Sequence, residues 1–112
     1  MRMWMIDPEL LCDKHLLGEH VECHMLVGST NKGKNLDGFI YSGLVEIHHL
    51  KDRHKRLAVE LNNRGFNHNS ELPEINFPID LFGGLVDIEK NIEELALRCC
   101  RCKSKIDKIY PD

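Results

Sequence analysis

Most features that would classify this chain at a glance are missing from it. No apolar run approaches the roughly 18 residues that a membrane-spanning helix needs. The opening Met1-Arg2-Met3-Trp4-Met5-Ile6 reaches Asp7-Pro8 before a signal-peptide core and cleavage site would fit. No repeat, low-complexity tract or linker divides the 112 residues, so one domain over 1–112, in the cytoplasm, is expected. Gly28-Ser-Thr-Asn-Lys-Gly-Lys-Asn35 lacks the Gly-Lys-Ser/Thr ending of a Walker loop and reads as a plain loop. His20-Val-Glu-Cys-His24 places its glutamate wrongly for a His-Glu-x-x-His protease. A basic excess is missing too. The formal net charge of −3 argues against a partner held by phosphate neutralisation alone.

Cysteine is present, but not as a disulfide framework. The five (Cys12, Cys23, Cys99, Cys100 and Cys102) are odd in number, and three crowd into four positions. A reducing compartment is the simpler reading. Set in a helical pattern, the run Cys99-Cys100-Arg101-Cys102 reads as core and surface thiols rather than as a metal knuckle. A zinc site in which Cys12, Cys23 and His24 meet the C-terminal cysteines is the alternative.

What is present suits a folded globule: 42% apolar and 29% charged residues. Charge is uneven along the chain. Residues 1–70 balance nine Lys and Arg against nine Asp and Glu and hold all seven histidines, and the segment 98–108 is basic, with Asp107 its one acid. Three helices are expected. The first starts near Asp7-Pro8 or at Asp13, its apolar face built from Leu10, Leu11, Leu16, Leu17 and Met25, with Gly18 permitting a close backbone approach. Residues 39–47 form a short helix or an extended connector. The second helix spans about 50–64, with Leu50, Leu57, Ala58 and Leu61 at core spacing and Gly65 as its stop. Asn67 to Gly84 holds Pro73 and Pro78 and reads as mostly loop. The third helix begins near Asp87, with Ile88, Ile92, Leu95, Cys99, Cys102 and Ile106 on one continuous stripe. The fold class is all-α: a compact three-helix domain with long irregular connections.

Candidate chemistry concentrates on the first helix. His15, Glu19 and Glu22 fall at i, i+4 and i+7, and His20 and His24 form a second pair. Such spacing by itself describes a solvated polar face with weak ion pairs. Lys51-Asp-Arg-His-Lys-Arg56 is the best phosphate-facing patch in the first 70 residues, or simply the polar side of the second helix.

Two motifs change that balance. Asp13-Lys-His-Leu-Leu-Gly-Glu-His-Val-Glu22 and Asn63-Arg-Gly-Phe-Asn67 lie in the order and spacing seen in the phage-type pyrimidine-dimer DNA glycosylases (phage-type endonuclease V), which residues 1 to 70 resemble. The resemblance implies a monomeric, metal-free and cofactor-free glycosylase and abasic-site lyase acting on double-stranded damaged DNA. It implies an N-terminal α-amine as nucleophile, which falls on Met1, and a catalytic glutamate, which falls on Glu22. An α-amine ordinarily titrates at about 7.7–8.0, so a neutral nucleophilic fraction exists at neutral pH. Arg2 matches a family arginine, and its bulk disfavours removal of Met1. His15 matches a histidine lining the site. Substrate contacts are expected from Arg2, Lys14, His15, His20, Lys51, Arg53, Lys55, Arg56 and Arg64. Val21 and Met25 stand where family members carry phosphate-gripping arginines, and of the aromatic, basic C-terminal tail only Tyr110 remains. Lys14, His20, His24 and the 51–56 patch are the available substitutes. The lesion itself is left open. Two rival readings keep the helices without the enzyme: a binding module using the 51–56 patch and the basic tail, and a zinc-stabilised interaction protein.

Overall fold

A computed structural model describes residues 1–67, 71–76 and 83–109. A 3₁₀ turn, Pro8–Leu10, precedes α1 (Asp13–Asn31). The short α2 (Asp37–Tyr41) and a second 3₁₀ turn (Ile47–His49) lead into α3 (Leu50–Asn63). α4 (Ile88–Arg98) and α5 (Cys100–Ile109) complete the described helices. All regular structure among the described residues is helical, as expected, but five α-helices replace three. One apolar cluster runs through it, from Met3 to Ile106. No helix among the described residues is long and apolar enough to cross a membrane.

Both N-terminal start signals are used. Asp7 Oδ1 accepts the Glu9 N–H at 3.0 Å to cap the first turn, with Pro8 at its first position. α1 then begins at Asp13 and runs through the expected loop as far as Asn31. There the Thr30 hydroxyl donates to the Leu26 carbonyl at 2.7 Å, and Leu26 and Val27 are buried. Packing of the last turns outweighs the weak helix propensity of Gly28. The core face of α1 also differs from expectation. It carries Leu16, Glu19, His20, Cys23, Leu26 and Val27, while Met25 is exposed and Leu17 half-buried. Polar side chains occupy the middle of the buried stripe.

No backbone approaches Gly18. A Cβ there would meet nothing within 4 Å. Gly18→Ala should therefore raise stability by about 0.5–1 kcal/mol, read as a higher urea midpoint at unchanged slope.

α3 buries Leu50, Arg53, Leu57 and Leu61, so an arginine fills one core position of an otherwise leucine stripe. Its C-terminus closes as expected. The Phe66 N–H bonds Leu61 O at 2.9 Å and the Gly65 N–H bonds Asn62 O at 3.0 Å, with Gly65 at φ 91°. Residues 39–47 divide between the end of α2, an extended stretch and a 3₁₀ turn. The described parts of 67–84 hold no helix, and 68–70 and 77–82 lie outside the described residues. Gly84, at φ 106°, lies so close to the Val45 carbonyl that a Cβ would overlap it, and Ile47 N–H bonds Gly83 O at 2.9 Å.

The expected continuous third helix is broken. Asp87 caps α4 by accepting the Lys90 N–H at 3.1 Å, but α4 stops at Arg98. Cys99 is extended (φ −135°, ψ 111°), and α5 starts at the next residue. Leu95, Cys102 and Ile106 are buried, Ile92 and Cys99 are half-buried, and Ile88 is exposed. The break leaves two short amphipathic helices, which bury Asn91 and Leu95 on α4 and Cys102 and Ile106 on α5.

Candidate active site

The first six residues carry no regular structure, yet each step is tied down. The Met3 N–H bonds Leu44 O at 2.8 Å, and Asn91 Nδ2 donates to Trp4 O at 2.9 Å. Arg53 Nη1 donates to Ile6 O at 2.6 Å. Met3, Trp4 and Ile6 are buried, and Met5 between them takes φ 61°. That left-handed turn costs a non-glycine residue on the order of 1 kcal/mol and is held by the burial on either side.

This anchoring delivers the chain start to α1. The Arg2 backbone N–H donates to Glu22 Oε2 at 3.2 Å. Glu22 is half-buried, and burial raises its pKa above the ordinary carboxylate value. The Arg2 N–H bond and the positive charge of the Met1 amine pull the other way, and Glu19 adds to the rise. A primary amine and a carboxylate of raised proton affinity therefore share one patch. Such a pair can attack an electrophilic carbon and move protons beside it.

The two sequence motifs touch each other. Arg64 Nη1 bonds Asp13 Oδ1 at 3.0 Å, Nε bonds Glu60 Oε2 at 2.7 Å, and Nη2 donates to Pro8 O at 3.1 Å. The Arg-Gly-Phe segment thus ends α3 and fixes the start of α1 in one device. A family model described as pyrimidine dimer DNA glycosylase matches residues 1–74. The chain belongs to that family. No curated protein and no solved structure matched it.

The family match ends before α4, yet α4 braces the candidate site. The Arg2 guanidinium lies 3.8 Å over the Trp4 ring, donates to Asn91 Oδ1 at 2.7 Å and pairs with Glu94. Arg2 was expected at the substrate. Its side chain is instead committed within the protein, and its backbone N–H is what reaches Glu22. In this glycosylase-family chain α4 therefore positions the N-terminus.

Other residues expected at the substrate also have partners within the protein. Arg53 is fully buried: its Nε and Nη2 bond the two Glu19 carboxylate oxygens at 2.5 and 2.9 Å, because a guanidinium in the core needs a bidentate partner. His20 is buried, its ring centroid 4.5 Å from that of His54 and 5.1 Å from that of His24, and His24 Nε2 lies 3.1 Å from His54 Nε2. Arg64 is mostly buried by its three partners. His15 turns its Nδ1 to Cys12 Sγ at 3.2 Å and Cys102 Sγ at 3.5 Å and sets its ring edge-on to Trp4. Burial, then Lys14 and Arg98, hold its pKa below the ordinary histidine value. Lys14, Lys51, Lys55 and Arg56 are exposed. Lys51 borders a depression with His48 and Leu72, whereas Lys55 and Arg56 border a separate one with Asp7 and Glu9.

Sequence reasoning passed over Trp4, Asn91 and Glu94, which hold Arg2. Asn91 had a signal: a polar residue between Ile88 and Leu95 on the buried side of an amphipathic helix. The zinc alternative brought Cys12 to the C-terminal cysteines, as the structure does, but named Cys23 and His24 where the structure places His15. Cys23 takes no part in that group, and burial pushes its thiol up to about 12.

Proposed function

We propose that this protein is a DNA-repair N-glycosylase with abasic-site lyase activity, acting in the cytoplasm as a monomer on double-stranded DNA carrying pyrimidine dimers. The observation that carries the reading is the Arg2 N–H bond to Glu22, which brings the residue next to Met1 onto a half-buried carboxylate. Family membership points to the substrate class.

The neutral Met1 amine attacks C1′ of an extruded nucleotide, the C1′–N bond breaks, and the departing base takes a proton from water. Glu22 accepts the proton that the amine loses. The C1′–O4′ bond then opens, Glu22 gives that proton to O4′, and a protonated imine remains between Met1 and C1′. Removal of a C2′ proton expels the phosphate at C3′ and cuts the strand. Water finally hydrolyses the imine and frees the amine. No metal is needed in any of these steps. Of the cations expected at the substrate, Lys14, Lys51, Lys55 and Arg56 are exposed and available for phosphates.

Borohydride reduction tests this directly. With abasic or dimer-containing duplex DNA, a covalent adduct should form, and peptide mapping should place it on the α-amine of Met1. A chain blocked at that amine should give none. An adduct on a lysine side chain, or cleavage undiminished by the block, would refute the mechanism.

A further inference from the structure

We infer that Cys12, His15, Cys99 and Cys102 form a structural zinc site. Their four donor atoms lie within 4.8 Å of one another. Zinc bonds of about 2.3 Å to sulfur and 2.0–2.1 Å to nitrogen give a tetrahedron with edges of about 3.8 Å between sulfurs and about 3.6 Å from sulfur to nitrogen. The Cys12 and Cys99 Sγ atoms are 3.8 Å apart, and His15 Nδ1 lies 3.2 and 3.5 Å from the Cys12 and Cys102 sulfurs. These three edges fit a tetrahedral site of three sulfurs and one nitrogen, and the other three lie within 4.8 Å.

The backbone is arranged for it. Cys12 stands at the N-cap of α1 and His15 lies three residues on; Cys99 immediately precedes α5 and Cys102 lies three residues on. Two helix N-termini thus present the same pair of positions to one point. The Cys12 N–H points at Cys102 Sγ (3.2 Å) and the Cys102 N–H at Cys99 Sγ (3.5 Å). Donors of this kind stabilise metal-bound sulfur. The break at Cys99, unexpected from helical periodicity, is what turns its sulfur toward Cys12. Three thiolates and one zinc ion leave a net charge of −1, beside the cations Lys14 and Arg98 that act on His15. With four protein ligands and Cys12 and Cys102 buried, the site is closed, which suits structure rather than catalysis. Binding one ion releases the three thiol protons to solvent. The site ties α1 to the α4–α5 junction, and so ties the family-matched region to α4, which holds Arg2.

The test is metal analysis of the full chain, purified anaerobically with reductant and without chelator. Zinc should be present at one ion per chain in this set, and X-ray absorption should count three sulfurs and one nitrogen around it. Cobalt(II) added to the metal-free reduced protein should give thiolate charge-transfer absorption and the intense visible bands of a tetrahedral site. Cys99→Ser and Cys102→Ser should lose both signals, whereas Cys100→Ser and His24→Ala should keep them. If the cysteine variants do not fold, the sulfur count on the unaltered chain decides. Zinc bound only by nitrogen, a cobalt spectrum lacking thiolate absorption, or a Cys12–Cys99 disulfide in place of metal would overturn the site. None of these readouts depends on DNA cleavage, so the site and the glycosylase reading stand or fall separately.

Discussion

Glu22→Gln should lower strand cleavage of abasic duplex DNA by about 10²–10⁴-fold, the usual contribution of a positioned acid–base group. The amide keeps an oxygen for the Arg2 N–H, so the N-terminal segment should stay in place. Its stability should not fall. The Glu22 pKa is raised in the folded chain, so folding favours the protonated form. That favourable contribution is present below the unfolded pKa and is lost as pH rises through the folded one. A permanently neutral amide avoids the loss at neutral pH. The variant should therefore combine a much lower turnover with an unchanged or higher melting temperature. Cleavage by the unaltered enzyme should show an acid limb above the ordinary glutamate value of about 4.3, and the variant should lack that limb. Wild-type rates in the variant would remove Glu22 from the mechanism, and a lower melting temperature would trace the lost activity to the fold.

Arg53→Ala should cost about 3–5 kcal/mol, the usual penalty for leaving one member of a buried ion pair alone. It would strand the Glu19 carboxylate in the core and remove the donor to Ile6 O. Against a total stability of about 5–15 kcal/mol, this is enough to leave part of the population unfolded at physiological temperature. Glu19→Leu combined with Arg53→Met should recover much of the loss, since apolar replacement of both partners removes two desolvated charges. The double variant should also move the acid limb of cleavage downward, because Glu19 contributes to the raised pKa of Glu22. Urea unfolding of the three chains checks the first two statements, and the pH profile checks the third. A single variant as stable as the parent would show that the pair does not hold the core together.

The extent to which the sequence was legible varied from helix to helix. α3 was legible because Leu50, Leu57 and Leu61 keep core spacing and Arg64-Gly65 marks the end. Only Arg53 misled: its charge suggested solvent, and Glu19, thirty-four positions earlier, provides its interior partner. α1 was half legible. Its start showed in Asp13, but Glu19, His20 and Cys23 interrupt the apolar stripe, so periodicity chose Met25 and Leu17 over the true face. The ligand spacing among the thiols was obscured for a related reason. Cys99 and Cys102 keep the Cys-x-x-Cys spacing with Cys100 between them, and the helical stripe masked it.

By itself, the sequence determined the helical class, the ends of α3, the cap of α4 and the family, since each rests on neighbouring residues or on motifs of fixed spacing. Tertiary structure decided which polar groups are buried, because burying a charge requires a partner that local sequence does not name. It gave Arg2, His15, His20, Arg53 and Arg64, all expected at the substrate, partners inside the protein. It also broke the last helix at Cys99 and gathered Cys12, His15, Cys99 and Cys102, because only packing brings residues almost ninety positions apart within bonding reach of one ion.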